Sequence, residues 1–128
     1  MVDACGLPVR VVLTPGNVSD KAAVPDLIDG LALARDLVTD KGYDARAIVD
    51  LIEARGATAH IPTQSDRRVQ RSVDPKLYRQ RNLIERCFNK LKHFRRVATR
   101  FEKLARNFLA AILLASTRLW TRFYESTT

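Results

Sequence analysis

An α/β fold, in which short strands alternate with helices before giving way to paired helices, is what the sequence predicts. Three observations carry this. Two short apolar runs, in "DLVTD" and "TAHIP", flank a helical pattern in "ARAIVDLIEARG". The apolar spacing after Pro75 is helical. The chain has 128 residues, 46% of them hydrophobic, which suits one domain with a core and is short for two.

Each element has its own signal. "LPVRVVL" is entered from the turn-like "DACG" and left at "TPGN", so Val9 to Leu13 reads as a strand, part of a hairpin whose first strand is mostly missing. "NVSDKAAVPDLIDGLALA" opens with Asn17 and Ser19 as caps and spaces Val24, Leu27, Ile28 and Leu31 at helical intervals, with Pro25 and Gly30 blurring its ends. "DLVTD" reads as a strand ending in Asp40. It is followed by the loop "KGYD" and by a helix that Asp44 would cap at its start and Gly56 at its end. "TAHIP" is a strand stopped by Pro62.

Residues 63–74 are polar and aperiodic and read as a basic loop. After them, Leu83, Ile84, Cys87, Phe88 and Leu91 share one helical face, expected to pack on the sheet. A last helix, from Leu104 to Tyr124, carries the stripe Leu104, Phe108, Ile112, Ala115, Leu119 and Phe123. The expected organisation is one domain over 1–128: strands and helices bearing Asp40 in 1–62, the basic loop in 63–74, and a helical part bearing Glu85 in 75–128.

The run "FLAAILLA", Phe108 to Ala115, falls short of the ~20 residues that span a bilayer and is expected as a core helix. The start has no cationic segment ahead of its apolar run, unlike a signal peptide, so a cytoplasmic, nucleoid-associated protein with no membrane partner is expected. Cys5 and Cys87 have no His or Cys at ligand spacing, which speaks against a zinc site or a disulfide framework.

The formal charge of +8 is unevenly spread. Residues 1–66 hold 6 basic and 10 acidic side chains, 67–106 hold 14 and 3, and 107–128 hold 2 and 1. A basic excess confined to one third of the chain reads as a surface for phosphates, because Lys and Arg that neutralise phosphates release condensed counterions. The plain alternative is a solvated basic helix face. An RNA-binding protein is a weaker reading, since Tyr43, Phe88, Phe94 and Phe101 are scattered and suit a core better than a stacking platform.

Within "YRQRNLIERCFNKLKHFRRVATRFEK", Tyr78 to Lys103, the first half holds a single acid, Glu85. On one continuous helix Arg81, Glu85 and Lys92 fall within roughly 40° of one another, and Tyr78 lies about 60° from Arg81. Arg86, Lys90 and His93 occupy the adjoining sector. Glu85 either pairs along the helix with Arg81 and Asn89, for about 0.2–0.5 kcal/mol each, or holds a divalent cation beside phosphates. Asp40, at the carboxyl end of a strand where α/β sheets gather their ligand sites, is the second candidate acid. A turn or cap role suits Asp44 better, leaving Asp40 freer for chemistry.

"LVTDKGYDARAI", followed by Tyr78, Arg81, Glu85 and Lys92 in the pattern Y-x2-R-x3-E-x6-K, resembles the DDE transposases of bacterial insertion sequences, in the insertion sequence five group. "GLPVRVVLTPGNVSD" and "FRRVATRFEK" are also similar to segments of that family, so the likeness covers nearly the whole chain. The resemblance implies an RNase H-like catalytic core whose three acids bind two Mg2+ (or Mn2+) ions for DNA cleavage and strand transfer. Asp40 would be the second acid and Glu85 the third, both catalytic and metal-binding. Lys92 would contact the element end, and Tyr78 and Arg81 would support Glu85 and DNA. Arg86, Lys90, Arg95, Arg96 and Arg100 would bind DNA phosphates.

In this family the first acid lies on a strand upstream of "VDACGLP", and Asp3 matches a turn aspartate instead. The expectation is therefore a core truncated at its N-terminus, the downstream portion of a transposase, inactive alone. It would work with DNA (element ends and target), with an upstream transposase segment or intact transposase, and as an oligomer. The alternative is a non-catalytic DNA-binding remnant or regulatory fragment.

Overall fold

The computed structural model describes residues 1–98 and 104–127. The chain forms two compact units, Thr14–Arg81 and Met1–Leu13 with Asn82–Thr128.

The Thr14–Arg81 unit is a small parallel β-α-β arrangement preceded by a short helix. Ser19 caps a 3-10 turn at Asp20–Ala23 by accepting from the Lys21 N–H at 3.3 Å, and the turn runs into α1, Val24–Ile28. Asp29 is already extended and Gly30 has φ of 68°, so Leu31 lies beyond the helix on which its spacing had placed it. Strand β1, Asp36–Val38, leads to α2, Arg46–Ala54, and back to β2, Thr58–His60. The strands are parallel with Leu37 opposite Ala59, and they form the one sheet among the described residues. Gly56, at φ of 81°, turns the chain just after α2, as expected of a helix-ending glycine. Val24, Ile48, Ile52, Ala57 and Ile61 form the core of this unit, with Ile52 fully buried. Asp74 accepts from the Lys76 N–H at 2.9 Å and caps α3, Pro75–Arg79.

The second unit is helical. It comprises α4, Asn82–Lys92, α5, Arg95–Ala98, and α6, Ala105–Thr127. Cys87 and Leu91 of α4 meet Ile112, Ala115 and Leu119 of α6, and Leu7 closes the cluster. The "DACG" turn forms as read: the Asp3 carboxylate accepts from the Cys5 and Leu7 N–H groups at 2.9 Å each, Gly6 takes φ of 77°, and Val2 bridges Pro8. Trp120 Nε1 donates to the Pro8 carbonyl at 2.7 Å, tying the turn to α6.

Four expectations are corrected. Val9–Leu13 is not a strand: its pairing stops at the start, where the Val9 N–H donates to the Met1 carbonyl and the Met1 amino group to the Arg10 carbonyl, each at 2.9 Å, and Val11 and Leu13 pack against the helical cluster. The face of α4 expected to cover the sheet packs on α6, and Phe88 is 56% exposed. The helix expected from Pro75 onward is interrupted at Gln80 and Arg81, so a single helical wheel does not run from Tyr78 to Glu85. Finally, "FLAAILLA" is only half core: Ile112 and Ala115 are buried, whereas Leu113 and Leu114 are 50% and 74% exposed. The α6 stripe holds from Phe108 to Phe123, with Leu104 outside the helix and exposed. Tyr43 and Phe94 are half-buried against the two clusters, and Phe101 lies outside the described residues. No helix of the described residues is long and apolar enough to cross a membrane.

Candidate active site

Asp40 sits two residues past β1, where the Thr39 N–H still donates to the His60 carbonyl at 3.2 Å and the parallel ladder ends. This is the carboxyl edge of the sheet, the side on which open α/β sheets place their ligands. Asp40 is extended (φ −80°, ψ 173°), and its Oδ1 accepts from the Gly42 N–H at 2.9 Å, capping a 3-10 turn at Lys41–Tyr43. The turn-capping aspartate of "DKGYD" is therefore Asp40 and not Asp44. One of its carboxylate oxygens is held by the turn; among the described residues no hydrogen bond engages the other.

Asp44 does something the sequence did not suggest. It is 1% exposed, and the N-cap of α2 is Ala45, so the helix has no side-chain cap. Its Oδ2 accepts from the Gln64 N–H at 2.8 Å and meets Arg67 Nε at 2.9 Å, while its Oδ1 pairs with Arg71. Its backbone carbonyl accepts from Arg67 and from Lys21 Nζ at 3.3 and 3.4 Å. The Gln64 N–H, opposed by burial and helped by the two guanidinium groups, holds the Asp44 carboxyl below the usual aspartate range. Two arginines of the basic loop are thus spent on an internal carboxylate. The loop is further pinned where the Arg71 N–H donates to Thr63 Oγ1 at 2.6 Å and where Gln70 Nε2 donates to the Gln64 and Arg67 carbonyls.

Asp44 thereby fixes the segment that carries Gln64, Ser65 and Asp66. Those three side chains line an open depression of about 610 Å3 together with Asp40, Tyr78 and Arg81. The Arg81 guanidinium lies 5.3 Å from the centroid of the Tyr78 ring, a cation–π contact. Three of the residues singled out in the sequence, Asp40, Tyr78 and Arg81, therefore border one depression within one unit. Gln64, Ser65 and Asp66 were missed, since nothing in an aperiodic polar segment says which residues a buried aspartate will hold in place.

The other candidates belong to the helical unit. Glu85 lies in the first turn of α4 and is exposed; Lys92 is two turns on, about 20° away around the helix. Arg86, Lys90 and Arg95 are exposed, Arg96 is in α5, and Arg100 lies outside the described residues. No group of three or more His, Cys, Asp or Glu side chains suited to a metal occurs among the described residues. A hydrated Mg2+ asks for less, since one or two carboxylates and several waters are its usual shell. Asp40, with one oxygen oriented by Gly42 in an open depression, fits as such a donor.

Residues 1–120 match the family described as Transposase DDE domain. The chain is 37% identical over 123 residues to a candidate transposase for insertion sequence element IS6501 of Brucella ovis, covering 95% of each. It is 31% identical over 116 residues to a candidate transposase for insertion sequence element IS402 of Burkholderia cepacia, covering 82% of this chain and 53% of that protein. The chain thus spans nearly all of the first relative and about half of the second. No solved structure matches it.

Proposed function

The chain belongs to the DDE transposases of insertion sequences, and from that premise we propose that it serves DNA transposition, with Asp40 and Glu85 as its metal-binding carboxylates and α4 as a grip on DNA phosphates. The observation that carries this reading is the convergence of Asp40, Tyr78 and Arg81 on one depression at the carboxyl edge of a parallel sheet. That edge, on a β-α-β unit, is also what supports an RNase H-like core.

Mg2+ or Mn2+ bound there would activate a water or 3′-hydroxyl and stabilise the leaving oxygen of a scissile phosphodiester. The residues supply the rest. The Gly42 N–H holds the Asp40 carboxylate in one orientation, so little is spent on ordering it when it binds. Arg81, steadied on Tyr78, places a positive charge where a phosphate oxygen would approach. Arg86, Lys90, Arg95, Arg96 and Arg100 neutralise the duplex backbone, and Lys92 favours the element end. Glu85 sits among cations because the ions and the phosphates need opposite charges close together. On this reading the family's first acid, which matches none of the residues assigned here, would complete the ligand set.

The test is metal-dependent nicking of a duplex carrying the element ends, with the chain joined to an upstream strand bearing an aspartate. Asp40→Asn and Glu85→Gln should each abolish nicking while salt-sensitive DNA binding persists. Unchanged nicking in either variant would remove that residue from the site. DNA binding with no nicking in the joined protein would favour a regulatory DNA-binding fragment.

A further inference from the structure

A hollow of about 440 Å3 lies wholly within the helical unit, apart from every residue assigned above except Lys90. Buried Leu7 and Leu119 contribute its floor, and half-buried Phe94 and Phe123 contribute aromatic surface. Lys90 of α4, His93 just after it and Arg122 of α6 line it as exposed basic side chains. Neither Lys90 nor Arg122 has a carboxylate partner among the described residues, and no acid lines the hollow.

We propose that this hollow seats a single unpaired nucleotide, its phosphate held by Lys90, His93 and Arg122 and its base against Phe94 and Phe123. The inference rests on the reading of the chain as a DNA-acting protein and adds a second site to it. Cations alone would serve a duplex backbone equally well, but a duplex covers the faces of its bases. Aromatic surface beside cations suits a base whose face is free. The volume falls in the range of about 300–1,000 Å3 usual for small-ligand sites, which accommodates one nucleotide and not a stretch of duplex.

The two cysteines make this testable without catalysis. Cys5 is exposed and lines the hollow, whereas Cys87 is 3% exposed, so a thiol-reactive dye under native conditions reports on Cys5. Thymidine 5′-monophosphate should slow labelling of Cys5 about fivefold or more at saturation, and orthophosphate at equal ionic strength should do much less. Arg122→Gln and Phe123→Leu should each weaken the nucleotide's protection about tenfold, with duplex binding through α4 intact. A fold change from Phe123→Leu is excluded by an unchanged circular dichroism melt, and Arg122→Gln supplies the independent surface variant. Labelling indifferent to the nucleotide at millimolar concentration, or equal protection by orthophosphate, would overturn the proposal. Protection in a chain that fails to bind duplex DNA would leave the seat standing and sink the duplex reading instead.

Discussion

Arg67 Nε lies 2.9 Å from Oδ2 of Asp44, a carboxylate that is 1% exposed. With Arg71 on the other oxygen and the Gln64 N–H donating as well, Asp44 is the internal anchor of a loop with no regular structure of its own.

Asp44→Asn keeps the side chain's shape and removes its charge. It should cost about 2–3 kcal/mol, in the range for losing charged hydrogen bonds at a buried group, with the half-exposed arginines limiting the loss because water can reach them. Urea denaturation measures this. A midpoint equal to that of the unsubstituted chain would show that the anchor contributes nothing net.

The same residue sets a pH dependence. An aspartate in an unfolded chain titrates near ~3.9, and Asp44 titrates lower when folded, so folding favours its ionised form. Its contribution is fully present above the unfolded value and is lost as pH falls through the folded one. Stability should therefore drop below about pH 4, and Asp44→Asn should flatten that part of the curve. An Asn variant with the same acid slope as the parent would assign the slope to other carboxylates.

Gly42 is needed for the placing of Asp40. A Cβ at this position would come 2.9 Å from Asp40 Oδ1, and the carboxylate, a movable side-chain end, would swing away and give up the Gly42 N–H. Gly42→Ala should leave the melting temperature within a few degrees and weaken Mn2+ binding, read by electron paramagnetic resonance. Unaltered Mn2+ binding would show that the orientation of Asp40 is immaterial.

Each exposed cation of α4 that touches a phosphate should contribute about one unit to the slope of log affinity for duplex DNA against log salt. Arg86→Ala, Lys90→Ala and Lys92→Ala should lower that slope in turn, and Lys92→Ala should weaken binding to element ends more than to random duplex. Slopes that do not change would place the DNA elsewhere on the chain.

Much of the architecture was legible because it rests on local signals. The pattern of β1, α2 and β2 is a change of hydrophobic period around a glycine, and the "DACG" turn is written in Asp3 and Gly6, whose roles the neighbouring backbone satisfies within a few residues. The same holds for Asp40 as an acid at a strand's end. Pairing and burial were not legible in this way. Val9–Leu13 has the composition of a strand and does not form one, Phe88 has the spacing of a core residue and lies exposed, and "FLAAILLA" turns only part of its circumference inward.

The two aspartates of "DKGYD" show where the line falls. Sequence alone determined that one of them would serve the turn and that acids, glycine and cations would be arranged in the order of a DDE transposase. Only the tertiary structure decided which: Asp40 caps the turn at the sheet edge, and Asp44 turns inward to Gln64, Arg67 and Arg71, 20 to 27 positions along the chain. The physical reason is range. A cap is satisfied by an N–H two residues away and leaves its mark in the adjoining sequence. A buried carboxylate must instead find donors wherever the folded chain brings them, because leaving it unpaired away from water costs too much for the fold to keep.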